Sequence, residues 1–297
     1  MVLVKKSTQP EVGMRLATLR RADTTVAAVA ADGRWVPLGY RDVGALLADP
    51  DGPGRARAVA APGAVPGGED LAAVVPHPAK VVCCGHNYAG HIREMGRELP
   101  AHPTLFTKFA DTLTGPADTV TVPDWAEGLD WEAELAVVVG APLHRADRDE
   151  ATAAIAGYTA ANDLSVRSWQ RHTGQWLPGK AFDATTPLGP VLVTPDELDP
   201  AAGLALTCRV GGELVQSGDT ADLVFDAPAL LAYVSAFTRL SPGDVVLTGT
   251  PAGVGAGMSP PRALADGDVV EVELAGVGVL TTPIRIEKTG TEHRECA

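Results

Sequence analysis

The sequence predicts an α+β fold, rich in β-strands, with a small N-terminal β module ahead of a larger domain. Three observations predict it. Short apolar, β-branched runs recur along the chain, each closed by Gly, Pro, Asn or Asp, which is the pattern of strands and turns. One stretch, Ala227 to Thr238, carries Leu230, Leu231, Val234 and Phe237 at the spacing of an amphipathic helix. The segment from Pro50 to Gly68 is rich in Gly, Pro, Ala and Arg without apolar periodicity, so it predicts a linker or exposed loop. That loop divides the chain into a module over residues 14–70 and a domain over residues 76–290.

The bulk numbers set limits. A chain of 297 residues that is 45% hydrophobic can bury a sizeable core. A net charge of −13 and no Lys/Arg cluster argue against nucleic acid and against an anionic membrane surface. No apolar run is long enough to span a bilayer. The first residues lack the long apolar stretch and cleavage site of a signal peptide. Cys83, Cys84, Cys208 and Cys296 form no C-x-x-C pair, which fits a reduced cytoplasm and neither a disulfide scaffold nor a thiolate zinc site.

In order, residues 1–13 read as a leader, and Arg15–Leu19 as the first strand. Val26–Val29 and Arg34–Leu38 flank an Asp32-Gly33 turn and predict a hairpin. Asp42–Leu47 is one short helix. Lys80–Cys84 is a buried strand turned by Gly85-His-Asn-Tyr88. Ala89–Met95 can form a helical turn, which makes His91 and Glu94 neighbours on one face. A carboxylate beside an imidazole fixes its tautomer and makes it a better base; an ordinary exposed pair is the bland alternative. Leu99–Lys108 is punctuated by proline, and Val120–Pro123 is another strand. Asp149–Ile155 predicts a helix and Tyr158–Ser165 a strand ending in Asn162-Asp163. A loop over Gly174–Lys180 follows. Leu206–Val210 and Glu213–Gln216 pair across Gly211-Gly212. Val245–Thr248 is a strand, and the glycine run after it lacks the G-K-[ST] of a phosphate loop. Leu264–Leu274 predicts a hairpin, and Gly278–Ile286 the last strand.

The most informative stretch is Asp130-Trp131-Glu132-Ala133-Glu134, which leads into the apolar run Leu135–Val139 closed by Gly140. In a strand, side chains two residues apart share a face, which puts the Cα atoms of Glu132 and Glu134 roughly 6.5–7 Å apart. Two carboxylates so close, at the mouth of a buried run, repel each other and lose hydration. A hard divalent cation relieves both penalties. Two solvated glutamates at a strand entrance are the alternative. Asp163, at the end of the following strand, can reach the same place.

Five pieces together resemble the fumarylacetoacetate hydrolase family. They are Cys84-Gly-His-Asn-Tyr-Ala-Gly-His91-Ile-Arg-Glu94, Asp130-Trp-Glu132-Ala-Glu134, Asn162-Asp163-Leu-Ser-Val-Arg167-Ser-Trp-Gln170, Gly174-Gln-Trp-Leu-Pro-Gly-Lys180, and Ser241-Pro-Gly-Asp244 through Gly249-Thr250-Pro251 to Gly255. They keep the family's order over residues 76–286. The resemblance implies a mixed β-roll core, a homodimer, and one Mg²⁺ or Mn²⁺ per chain held by Glu132, Glu134 and Asp163. It implies that Lys180 steadies an oxyanion beside the metal, that Arg167 and Gln170 grip a substrate carboxylate, and that Thr250 closes the pocket. His91 and Glu94 match the pair on the family's mobile lid. Gly90 stands where many members carry Asp or another polar residue, and Ala184 follows Asp183 where a hydroxyl residue is common. Both departures bear on substrate choice.

The expected substrate is a keto or diketo acid. The first expectation is metal-dependent hydrolysis of a C–C bond in an acylpyruvate-like β-diketo acid, because His91 and Glu94 can activate water. The second is decarboxylation of an oxaloacetate-type β-keto acid, or hydration or isomerisation through the same enolate. A third, from another class, is a non-catalytic metal- or ligand-binding protein that keeps the fold.

Overall fold

The computed structural model describes residues 13–94 and 98–289, apart from the side chains of His91 and Glu94. The expected leader before Gly13 lies outside the described residues.

The N-terminal part runs β1 (Arg15–Arg21), β2 (Thr24–Ala31), β3 (Arg34–Pro37), α1 (Val43–Ala48) and α2 (Gly52–Val59). Then come β4 (Val81–Gly85), α3 (Ala89–Glu94), β5 (Thr104–Lys108), β6 (Leu113–Thr114), β7 (Val120–Pro123), β8 (Leu129–Asp130) and β9 (Ala133–Val139). The middle holds α4 (Arg148–Ala153), β10 (Ile155–Asn162), β11 (Ser165–Val166), α5 (Arg167–Gln170), α6 (Leu177–Lys180) and β12 (Thr186–Val193). The chain finishes with β13 (Ala205–Val210), β14 (Glu213–Asp219), α7 (Ala227–Phe237), β15 (Val245–Leu247), β16 (Val269–Leu274) and β17 (Gly278–Glu287).

Two mixed sheets form the body, with a short β8–β11 pair beside them. The larger runs β3-β2-β1-β12-β10-β9-β15-β4-β5, with β6 on β12, and the smaller runs β14-β13-β16-β17-β7. Most neighbours are antiparallel, but β15 runs parallel to β4, β17 to β7 and β6 to β12. Strands β9, β10 and β12 pack against β13, β16 and β17 across a core with Trp131 fully buried. Every residue of β9 is buried, as its unbroken apolar run predicts. The fold is β-rich α+β, as the sequence predicts.

The predicted β2–β3 and β13–β14 hairpins form. Gly211 and Gly212, at φ 58° and 84°, supply the positive φ pair that the tight β13–β14 turn needs. Helix α1 is capped by Asp42, whose carboxylate accepts from Ala45 N at 2.6 Å. Helix α7 is capped the same way by Asp226, which accepts from Ala229 N at 3.0 Å.

Three local expectations differ, and one strand comes without a sequence signal. Residues 50–68 contain α2, a helix of poor intrinsic propensity held by tertiary contact: Ala56 is buried, and a Cβ on Gly52 would lie 2.0 Å from Leu46 O. Thr104–Lys108 is a full strand despite the prolines before it. Thr186–Val193 is also a strand, although Pro187, Gly189 and Pro190 lie inside it. Its pairing with β10 shifts register between Tyr158 and Ala160, and such an irregularity accommodates residues without a ladder N–H. The last hairpin is β16 with β17, and Leu264–Asp268 only turns into it. The N-terminal hairpin continues the large sheet, because β1 pairs with β12 through Arg15↔Val193 and Leu16↔Leu192.

Among the described residues, no helix is long and apolar enough to cross a membrane. Cys83, Cys84 and Cys208 are buried and unbridged.

Candidate metal centre and substrate cavity

The site grows out of one antiparallel pair. In β9 and β10, Ala133 faces Asn162 and Glu134 faces Ala161, so the start of one strand lies beside the end of the other. Glu132 precedes β9, and Asp163 follows β10. Asp163 N donates to Glu132 O at 2.8 Å, and Glu132 N donates to the Asn162 side-chain oxygen at 3.0 Å. Although Glu132 lies just outside the strand, the three side chains converge as expected. One carboxylate oxygen from each of Glu132, Glu134 and Asp163 lies within 4.8 Å of the others, and all three residues are buried.

Three cations surround this cluster. Lys180, at the end of α6, places Nζ 2.7 Å from Glu132 Oε2 and 2.7 Å from Asp163 Oδ2. Lys108, the last residue of β5, places Nζ 2.6 Å from Asp163 Oδ1. Arg167 bridges Asp130 through Nε at 2.8 Å and Glu132 through Nη1 at 2.7 Å. Its Nη1 also donates to Gln170 Oε1 at 2.8 Å.

The compensation is uneven. Burial works to raise the Asp163 carboxyl, but Lys108 and Lys180 outweigh it and hold the group below the usual range. Burial, joined by the charges of Asp163 and Glu132, pushes Glu134 well above it. Glu134 accepts one hydrogen bond, from Gly249 N at 2.7 Å, and among the described residues no basic side chain bonds to it. Burial disfavours the Lys180 cation, yet Asp163 and Glu132 prevail and raise it above an ordinary lysine. Counting Asp130, four carboxylates face three cations. An all-oxygen, buried, under-compensated donor set fits a hard divalent cation, with Glu134 as the corner in most need of it. Glu132, Glu134 and Asp163 could hold such an ion.

A cavity of about 930 Å³ opens above the cluster. Glu132, Glu134, Arg167, Gln170, Lys180 and Thr250 all line it, so six of the expected site residues share one space. Gln216 donates to Thr250 Oγ1 at 2.8 Å and to Pro251 O at 2.9 Å, and it accepts from Ala133 N at 3.0 Å. It thereby ties the Thr250 turn to β9. Part of the wall is aromatic: Trp176 meets His86 edge-on at 5.4 Å and Phe106 at 5.5 Å, and Lys180 Nζ sits 5.0 Å from the Phe106 ring centre. The backbone of His91 and Glu94 lies in α3, three residues past the cavity-lining His86. Their side chains lie outside the described residues.

Sequence reasoning missed Lys108, Asp130 and Gln216 as site residues. Asp130 accepts from Trp131 N, Gly255 N, Ala256 N and Arg167 Nε, so one buried carboxylate fastens the glycine turn to the arginine. A signal for Lys108 was present: it follows Phe106 by two residues, on the same strand face, and a lone charge on an apolar face needs a buried partner. Nothing local marks Gln216, whose partners are 34 and 83 positions away.

Comparison with known proteins agrees with this geometry. Residues 80–285 match the family described as fumarylacetoacetate (FAA) hydrolase C-terminal. The chain is 46% identical over 214 residues to the human protein named oxaloacetate tautomerase FAHD2A, mitochondrial, covering 71% of this chain and 68% of that one. It is 43% identical over 216 residues to oxaloacetate tautomerase fahd2, mitochondrial, of Xenopus laevis, covering 72% and 68%. Among solved structures, the fumarylacetoacetate hydrolase of Exiguobacterium antarcticum superimposes with a TM-score of 0.79 at 32% identity, over 92% of this chain and 100% of the other. A 5-carboxymethyl-2-hydroxymuconate delta-isomerase from Mycobacterium smegmatis gives 0.76 at 31%, over 92% and 100%. A model match over more than half of the chain, these relatives and a shared β-rich architecture lead to one conclusion: the chain belongs to the fumarylacetoacetate hydrolase family of enzymes.

Proposed function

We propose that this enzyme uses Mg²⁺ or Mn²⁺ to handle the enol of a small 2-oxo acid, with keto–enol interconversion of an oxaloacetate-type β-keto acid as its reaction. The observation that carries the reading is the Glu132, Glu134 and Asp163 cluster, in which Glu134 has no basic partner among the described residues and which opens to a cavity. The names of the relatives support oxaloacetate as the substrate type.

A divalent cation held by the three carboxylates would supply positive charge to the 2-oxo oxygen, where negative charge gathers as the enol forms. The chain's own residues do the rest. Arg167 is fixed through Nε and Nη1, and among the described residues its Nη2 has no partner, so it can take a substrate carboxylate with Gln170 beside it. Lys180, kept protonated by its carboxylates, steadies the oxygen. In this reading His91, with Glu94 as its partner, takes the proton from C3 and returns it to the enolate oxygen, so that one proton moves and none is gained or lost. Thr250 accepts from Gln216, which leaves its hydroxyl to donate into the cavity.

Hydrolysis of an acylpyruvate is the second reading, favoured by the placement of His91 and Glu94 in the single helix α3. There the same base activates water, and the enolate leaves after C–C cleavage. Decarboxylation needs no activated water. In this reading residues 14–70 are an accessory module, residues 76–290 the catalytic domain, and the working unit a homodimer. Exposed Phe109 and Phe237, which share a surface hollow with residues of the edge strand β5, support the dimer. The unbridged cysteines support a reducing compartment such as the cytoplasm, although the animal relatives are named as mitochondrial.

The test compares purified enzyme on enol-oxaloacetate, oxaloacetate decarboxylation and a panel of acylpyruvates, before and after EDTA and with Mg²⁺ or Mn²⁺ returned. Turnover of enol-oxaloacetate that EDTA abolishes and metal restores is the expected result. His91→Ala should slow proton transfer by roughly 10²–10⁴-fold, the usual share of a general base, with metal affinity unchanged. Metal-independent turnover, or turnover of acylpyruvates alone, overturns the first reading.

A further inference from the structure

Gly90, one position before His91, has a partner far away in the chain. Gly90 N donates to Asp222 Oδ2 at 2.8 Å. A Cβ built on Gly90 would lie 3.0 Å from that same oxygen, so a side chain here would press on the acceptor that the backbone uses. Asp222 sits in a short 3₁₀ turn, Thr220–Asp222, far from Gly90 in sequence.

The two residues that lead into α3 are tied on two sides. Asn87 Nδ2 donates to Phe225 O and to Thr248 O, both at 2.8 Å, and Asn87 Oδ1 accepts from Phe225 N at 2.8 Å. Val224 N donates to Asn87 O at 2.8 Å, and Tyr88 forms a bridge with Leu223. The start of α3 is therefore laced to residues 223–225 on one side and to Thr248, next to the Gly249 that holds Glu134, on the other. The Gly90–Asp222 bond completes this lacing at the first turn of the helix.

We propose that Asp222 is a positioning residue for His91 and Glu94. Its carboxylate fixes the first turn of α3 through Gly90 N–H, and a side chain at position 90 would require that carboxylate to shift by a few tenths of an ångström. This rests on the role given above to His91.

The experiment compares Asp222→Ala, Asp222→Asn, Gly90→Ala and the double variant Gly90→Ala with Asp222→Ala. It reads amide hydrogen exchange at Gly90, kcat and KM on oxaloacetate and an acylpyruvate, and Mn²⁺ affinity. Losing a hydrogen bond to a charged acceptor should speed Gly90 exchange by about ten- to a hundredfold in Asp222→Ala. The same variant should lose about tenfold in kcat, with KM and Mn²⁺ affinity unchanged. Asp222→Asn keeps an acceptor oxygen and should stay within about threefold of wild type. Alanine is the better helix former, yet Gly90→Ala should lower kcat alone and cost nothing further once Asp222 is alanine.

Unchanged Gly90 exchange in Asp222→Ala overturns the proposal. Additive losses in the double variant, or a rise in KM with kcat intact, do the same. If wild-type protein turns over neither substrate, the functional reading fails, and the exchange measurement alone decides whether Asp222 fixes α3.

Discussion

Two carboxylate clusters in this molecule have opposite characters. At the junction of the N-terminal hairpin, Asp118 accepts from Arg20 Nη1 at 2.8 Å, Arg20 Nη2 at 2.6 Å, Thr114 Oγ1 at 2.5 Å and Gly115 N at 2.7 Å. Burial works against its charge, but Arg20, Thr114 and Gly115 together hold it below the usual carboxylate range. Every oxygen is answered, and nothing is left to bind. At the cavity floor, Glu134 has a single backbone donor and is pushed well above that range. The first cluster is closed and serves the fold. The second is kept open by one charge, and that shortfall is what a metal ion can fill.

The largest test of this contrast is Glu134→Gln. The amide oxygen can still accept from Gly249 N, but the charge is gone. Mn²⁺ affinity by calorimetry should fall at least about a hundredfold, while the metal-free protein should unfold at a higher temperature because a poorly compensated buried charge has been removed. Wild-type affinity in this variant would remove Glu134 from the ligand set.

Lys108→Met probes the compensated corner of the same cluster. Both partners of the Lys108–Asp163 pair are fully buried, but Asp163 keeps Lys180. A loss of about 3 kcal/mol is expected, at the low end for breaking a buried pair. Saturating Mg²⁺ should return part of it. A loss below 1 kcal/mol in urea titration would show that Lys180 alone compensates Asp163.

The smallest effect belongs to the closed cluster. Asp118→Asn should cost about 1 kcal/mol near neutral pH, since the group is partly exposed and its ion pairs are screened. A depressed folded pKa makes the contribution present above the unfolded value of about 3.9 and lost as pH falls through the folded one. The gap between wild type and Asp118→Asn should therefore narrow below about pH 4. A gap that persists at pH 3 would mean that packing, and not charge, is what Asp118 supplies.

The parts of the site legible in the sequence were those where chemistry and local spacing coincide. Glu132 and Glu134 announce themselves because two carboxylates before a buried strand need a reason. Asp163 was within reach because it ends the following strand, while Arg167, Gln170, Lys180 and Thr250 came through motif resemblance; the cavity gathers these four, and Asp163 joins Glu132 and Glu134 in the carboxylate cluster. What stayed hidden was non-local. The strand Thr186–Val193 carries its own breakers, and only β1, β6 and β10 beside it make it a strand. Helix α2 exists because Leu46 and its neighbours press on Gly52 and Ala56. Gln216 matters only because β14 passes beneath the Thr250 turn. No window of sequence contains these relations.

The place of β15 has a consequence for how the protein is made. This three-residue strand lies between β9 and β4, pairing Val245 with Val138 on one side and with Val81 on the other. Until residues 245–247 leave the ribosome, β4–β5 and β9–β10–β12 are separate half-sheets, each with a long apolar strand edge open to its surroundings. Contacts that wait for partners more than a hundred residues away close slowly, and open edges invite pairing with other chains. Nascent chains whose emerged part ends before Val245 should therefore be the ones that chaperones hold, and emergence of Val245–Leu247 from the ribosome should loosen that hold.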